Sequence, residues 1–146
     1  MASHSDTGDD RGARLHTRLQ CQVVTPEKTL FDKTVDFVAL PLLDGEFGVL
    51  PGRTPLVGRL GYGELRTKTN ETVDRYFLDG GFAQIRDNLV TILTSRALPA
   101  SEIDSNATAE ALEKAEQQPA VSDAAVAEKT KAVARLRAML RVSGRR

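Results

Sequence analysis

The stretch Asp44-Gly45-Glu46-Phe47-Gly48-Val49-Leu50-Pro51-Gly52-Arg53-Thr54-Pro55-Leu56 constrains this chain most. It carries three glycines and two prolines, so its backbone can turn sharply and has few free donors. Yet Phe47, Val49, Leu50 and Leu56 are apolar, which a solvated flexible loop would not need. The combination predicts a rigid turn whose apolar underside rests on a core and whose polar atoms present a fixed edge.

The surroundings of that stretch predict strands. Leu19, Cys21 and Val23 alternate with Arg18, Gln20 and Gln22, the period of a half-buried strand. Thr25–Lys28 reads as a turn, Leu30-Phe31 as a short strand and Asp32-Lys33 as another turn. Val35–Leu43 is the strongest strand signal, with Pro41 marking an edge or a bulge. Recurrent glycines from Gly58 to Gly63 suggest short strands and tight corners. Thr67–Thr72 suits a hairpin tip, and Asp79-Gly80-Gly81 and Asp87-Asn88 suit turns. Leu89–Thr94 is apolar on both faces, as a central strand would be. Closely spaced strands without intervening helices indicate an all-β sandwich N-terminal domain.

Past that region the composition changes. From Ser101 no glycine occurs until Gly144, and 11 alanines fall between Ala107 and Ala138. Asp104 or Ser105 can cap one helix ending near Gln118, and Ser122 or Asp123 a second ending near Val142. Pro119 separates them, giving a C-terminal antiparallel α-helical hairpin. The expected division is a disordered tail over 1–17, a β-sandwich over 18–98 and a two-helix hairpin over 99–146. The first helix is acidic and the second basic. The apolar seam is thin: Ala107, Ala111, Leu112 and Ala115 facing Val126, Val133, Leu136 and Leu140. Such a seam buries little area, so the hairpin should undock at small cost.

Chemistry is notable for what is lacking. Lys plus Arg balances Asp plus Glu at 20 each, Trp is absent, and nothing favours nucleic acid. Cys21 is the single cysteine and reads as a core residue; His4 and His16 lie in the expected tail. No phosphate-binding loop, nucleophile elbow, catalytic triad or metal-ligand cluster is present, so no catalytic residue, metal or cofactor is assigned. No apolar run is long enough to span a bilayer and no signal peptide is evident, which predicts a chain that is cytoplasmic or attached to something from the cytoplasmic side.

Gly45–Leu56, then Gly80-Gly81-Phe82, then Asn88-Leu89-Val90-Thr91-Ile92-Leu93, followed by an Ala-rich hairpin, resemble in order and spacing the epsilon subunit of the F-type ATP synthase. The resemblance covers residues 18–142 and implies a non-catalytic rotor subunit on the central stalk. It implies binding to the gamma subunit and the c-ring, and a peripheral location on the cytoplasmic face of the inner membrane. It places Glu46, Phe47, Gly48 and Arg53 as candidate ring contacts. Arg53 and Thr54 stand where the family commonly has His and Ala. The resemblance also makes the hairpin a regulatory element that can extend into the alpha/beta catalytic head and inhibit ATP hydrolysis, with Arg135 and Arg137 as candidate contacts. Some members bind ATP through Ile/Leu-Asp-x-x-Arg-Ala. Here Ile103-Asp104 is followed by Ala107 where the Arg would be, so Asp104 alone matches and weak or no ATP binding is expected. The reading from another class is a free-standing β-sandwich adaptor or ligand-binding module.

Overall fold

The computed structural model describes residues 18–144. The tail expected over residues 1–17, with both histidines, lies outside them. Eight strands come first: β1 (Leu19–Val24), β2 (Thr29–Val35), β3 (Phe37–Leu42), β4 (Gly45–Val49), β5 (Leu56–Thr69), β6 (Thr72–Arg86), β7 (Leu89–Leu93) and β8 (Ala97–Pro99). A short 3₁₀ turn then leads to helices α1 (Ser105–Gln117) and α2 (Asp123–Gly144). The strand path is β2-β1-β7-β6-β5-β3-β4, with β8 also paired to β6.

The long β5–β6 hairpin makes this one path into two layers. Its Leu56–Leu60 and Phe82–Arg86 halves pair with each other, and the latter pairs with β7, which carries β1 and β2 beyond it. Its other halves pair with β3 and β8, and β4 follows β3. Between the layers lie Leu19, Cys21, Val23, Val38, Leu40, Leu65, Ile85, Val90 and Ile92, all buried. The alternation expected over β1 is therefore seen: its odd positions face the core.

Several expected turns are in fact strand. Asp79-Gly80-Gly81 lies within β6, and Gly58–Gly63 within β5. Pairing lapses opposite Gly61 and Gly80 with the register unchanged, so the glycines mark a bend through which the hairpin passes from one layer to the other. Gly80 and Gly81 have φ of +72° and +114°. A Cβ on Gly81 would stand 1.9 Å from the Leu93 carbonyl oxygen, so close strand approach demands glycine there. Asp32-Lys33 also belongs to a strand, the outermost β2, and the chain bends instead at Asp36. Asp36 accepts from Arg18 Nε at 3.0 Å and from the Asn70 amide at 2.6 Å. Pro41 marks a bulge: the β3–β5 register shifts between Ala39 and Leu42.

Both helices begin at side-chain caps. Asp104 accepts from the Ala107 amide at 3.0 Å, and Ser122 accepts from the Ala125 amide at 3.1 Å. α2 lies across β5 and β6 on the outer face of the second layer, where Ala138, Met139 and Val142 cover Phe77. The expected seam is displaced. Leu112, Val133, Leu136 and Leu140 are only half-buried, and Ala107, Ala111 and Val126 are exposed. α2 must satisfy the sheet as well as α1, and its deepest burial goes to the sheet-facing residues.

Candidate surfaces and the family of the chain

Gly45–Val49 is a strand, not the turn expected of it. β4 pairs antiparallel with β3, Leu42 opposite Gly45 and Val38 opposite Val49, and the tight turn is Leu43-Asp44. Successive side chains of a strand face opposite sides. Val49 is buried, Phe47 packs half-buried on the same core, and Glu46 and Gly48 face the other way. A Cβ on Gly48 would touch the Phe37 ring at 3.1 Å, so this position keeps the strand close to its neighbour's side chain. Leu50 departs from the expected apolar underside, being 62% exposed.

The four candidate ring-facing residues fall into two groups. Glu46 is ion-paired to Arg66 of β5. Arg66 also reaches Glu64 at 3.3 Å. Burial opposes the charge on Arg66, but its hydrogen bonds to Glu46 and Glu64 outweigh that cost and raise its pKa. Arg53 stacks instead on Phe47, its guanidinium carbon 4.6 Å from the ring centroid. Gly52 donates its amide to Asn88 Oδ1 at 2.8 Å, which ties this loop to the β6–β7 turn. The edge is thus held on both sides by specific contacts while Glu46 and Arg53 keep polar atoms at the surface.

The two candidate arginines of α2 are both engaged while the hairpin is docked. Arg135 lies 3.8 Å from Asp79 of β6, joining helix to sandwich. Arg137 lies 2.7 Å from Glu116, joining α2 to α1. A cleft of about 670 Å³ beside α2 is lined by Arg59, Tyr62, Asp79, Phe82, Lys131 and Arg135 among others. Asp104 acts as a helix cap: its Oδ1 accepts from the Ala107 amide and its carbonyl accepts from the Thr108 amide and hydroxyl. Cys21 is buried, and burial pushes its thiol up to about 12, which keeps it protonated and unreactive.

One surface escaped the sequence reading. Val57, Phe82, Leu89 and Leu93 are exposed on the outer face of the first layer, with Phe82 directly across from Leu93. β7 is central, as expected, but only Val90 and Ile92 are buried. Its second apolar face, which the apolar pattern over Leu89–Thr94 assigns to the sheet interior, lies open on the outside of the sandwich.

Comparison with known proteins gives one answer. A family model described as ATP synthase, Delta/Epsilon chain, beta-sandwich domain, matches residues 18–100. The ATP synthase epsilon chain of Rhodopirellula baltica is 47% identical over 86% of this chain and 98% of its own length. That of Nitratidesulfovibrio vulgaris is 40% identical over 68% of this chain and 75% of its own. A chain in the Euglena gracilis mitochondrial ATP synthase, in a structure described as OSCP, F1 and c-ring, superposes with a TM-score of 0.76. That chain is 27% identical, with 84% of this chain and 79% of that one covered. A chain of the Tetrahymena thermophila central stalk and c-ring assembly shares the fold alone, at 15% identity and a TM-score of 0.64 over 86% of this chain and 96% of that one. The sandwich, the helical hairpin docked on it and these similarities lead to one conclusion: the chain belongs to the ATP synthase epsilon-chain family.

Proposed function

We propose that this chain is a non-catalytic rotor subunit on the central stalk of an ATP synthase, coupling rotation of the c-ring to ATP synthesis in the catalytic head. The observation that carries this is the 47% identity to an epsilon chain across nearly all of that relative's length. Rotary coupling asks a subunit for stiff, specific surfaces rather than chemistry. The sandwich over 18–98 supplies stiffness through its continuous β5–β6 hairpin. The hairpin over 99–146 is the regulatory part.

Three surfaces divide the partners. The apolar face of Val57, Phe82, Leu89 and Leu93 meets the gamma subunit, since exposed apolar clusters of this kind favour a protein partner. The β4 edge, through Glu46, Phe47, Gly48 and Arg53, meets the c-ring. Arg135 and Arg137, once released from Asp79 and Glu116, meet acidic groups of the catalytic head and hold the extended helix there, inhibiting ATP hydrolysis. Among the described residues no helix is long and apolar enough to cross a membrane. On this reading the chain is held at the cytoplasmic face of the membrane through the complex. ATP binding by the hairpin is weak or nil, because Ala107 offers phosphate no guanidinium.

Affinity purification of the tagged chain from its own membranes tests the assignment. The expected result is enrichment of gamma, ring and catalytic-head subunits in one complex. Recovery of the chain alone, or with unrelated proteins, would favour the free-standing adaptor and overturn the proposal.

A further inference from the structure

Glu64 lies on β5 beneath α2, and its carboxylate is nearly buried, with 6% of the side chain exposed. A buried carboxylate persists only if it is paired. Oε1 takes Arg66 Nη1 at 3.3 Å, and Oε2 takes Arg75 Nε and Nη2 at 2.8 and 2.6 Å. Each arginine is shared with a second acceptor. Arg66 also pairs with Glu46 of β4. Arg75 Nη2 also donates to the Val142 carbonyl at 2.7 Å. Val142 stands in the last turn of α2, where carbonyls lack partners within the helix and a nearby cation is attracted by the negative end of the helix dipole. Arg75 is therefore a cap supplied by the sheet.

We propose that Glu46, Arg66, Glu64 and Arg75 form an ion-pair relay through which the surface of β4 controls how firmly the end of α2 is docked. Glu46 draws Arg66 outward and leaves most of Glu64 to Arg75. When Glu46 is neutralised or engaged by another cation, Arg66 turns to Glu64 and competes with Arg75. Arg75 then loses the anchor that aims it at the Val142 carbonyl, and the last turn of α2 loosens. Charge sharing through a poorly solvated carboxylate makes the two ends interdependent, whereas four solvated pairs would respond separately. The consequence for a rotary motor rests on reading β4 as the ring-facing edge: engagement there would favour release of the hairpin. The relay itself belongs to the free chain and is tested there, so its failure leaves the assembly reading untouched.

The experiment is amide hydrogen exchange on the full-length chain, comparing wild type, Glu46→Gln, Arg75→Met and the double variant. Among the described residues Glu46 pairs with Arg66 and makes no hydrogen bond or ion pair with α2, so a merely local role predicts no change there. The relay predicts that Glu46→Gln speeds exchange over 138–142 by about fivefold, the low end of site-to-site coupling. Arg75→Met should speed it at least as much, and the double variant should add little to Arg75→Met. Protection at Cys21 and Val90 reports that the sandwich remains folded. If Arg75→Met loses that protection, Arg75→Lys, which keeps the charge but not the fork, takes its place. Wild-type exchange over 138–142 in Glu46→Gln would overturn the relay, as would full additivity. Arg141 lines the same cleft as Glu46. If an Arg141→Gln background abolishes the Glu46→Gln effect, direct attraction across the cleft carries it, and the relay is likewise overturned.

Discussion

Arg53 and Cys21 show how far single residues could be read from sequence. Arg53 was recognisable as a departure from the family's usual residue. Its stacking on Phe47 was not, because the glycines and prolines around Phe47 predict a turn where the chain forms a strand. Arg53→Ala should cost less than about 1 kcal/mol of stability, the value of an exposed cation–π pair, as a small fall in denaturation midpoint. Cys21 was legible as a core residue from its alternation with Gln20 and Gln22, and its thiol gives the fold an alkaline limit. The folded thiol titrates near 12 rather than at the ordinary 9.0, chiefly because it is buried. Between those values the unfolded state has released a proton that the folded state retains, so stability falls as pH rises. Lys33 acts in the same sense. Burial opposes its charge, but hydrogen bonds to Asp74 and Tyr76 raise its pKa above 10.5, so its contribution is present below that value and lost as pH climbs past the raised one. Cys21→Ala should flatten the decline in melting temperature from pH 9 to 12, whatever it does to the neutral-pH baseline. Gly81→Ala is the severe substitution: a positive φ and a clash with the Leu93 carbonyl should cost about 3 kcal/mol in chemical denaturation.

At the scale of elements, helix starts were more legible than strand ends. A helix cap is local chemistry, and Asp104 and Ser122 cap as their positions suggested. Glycine is ambiguous: Gly80-Gly81 looks the same whether the chain reverses or bends within a strand, and the pairing with β5 on both sides of it distinguishes the two. The hairpin's face was hidden for a related reason. Periodicity finds an apolar stripe but not whether a sheet or a helix covers it, so Ala138, Met139 and Val142 were missed as the docked face. That face is small, and removing Met139's side chain should expose its weakness. Met139→Ala should speed amide exchange along α2 while leaving β1 and β7 protected, at a local cost of about 2–5 kcal/mol. In the assembled complex, Met139→Ala should lower ATP hydrolysis because the hairpin is released more often. Deleting residues 101–146 should raise it because no inhibitory helix remains. Equal rates for the two variants would remove the hairpin from regulation.

The described residues form a double-layered sandwich with a helical hairpin docked on it through α2, and the two parts serve a motor differently. Membership of the epsilon-chain family is legible in the glycine-bearing blocks, where Gly48 meets the Phe37 ring and Gly81 the Leu93 carbonyl at close approach. Glu46 could be picked out as a polar group on that edge, but its partner Arg66 lies on a strand reached only through sheet pairing. Coupling between ring and head is the central claim, and ion-driven ATP synthesis measures it directly. Membranes lacking this chain should lose synthesis driven by an imposed ion gradient, while the catalytic head still hydrolyses ATP, and adding back the full-length chain should restore synthesis. Undiminished synthesis in its absence would contradict the account.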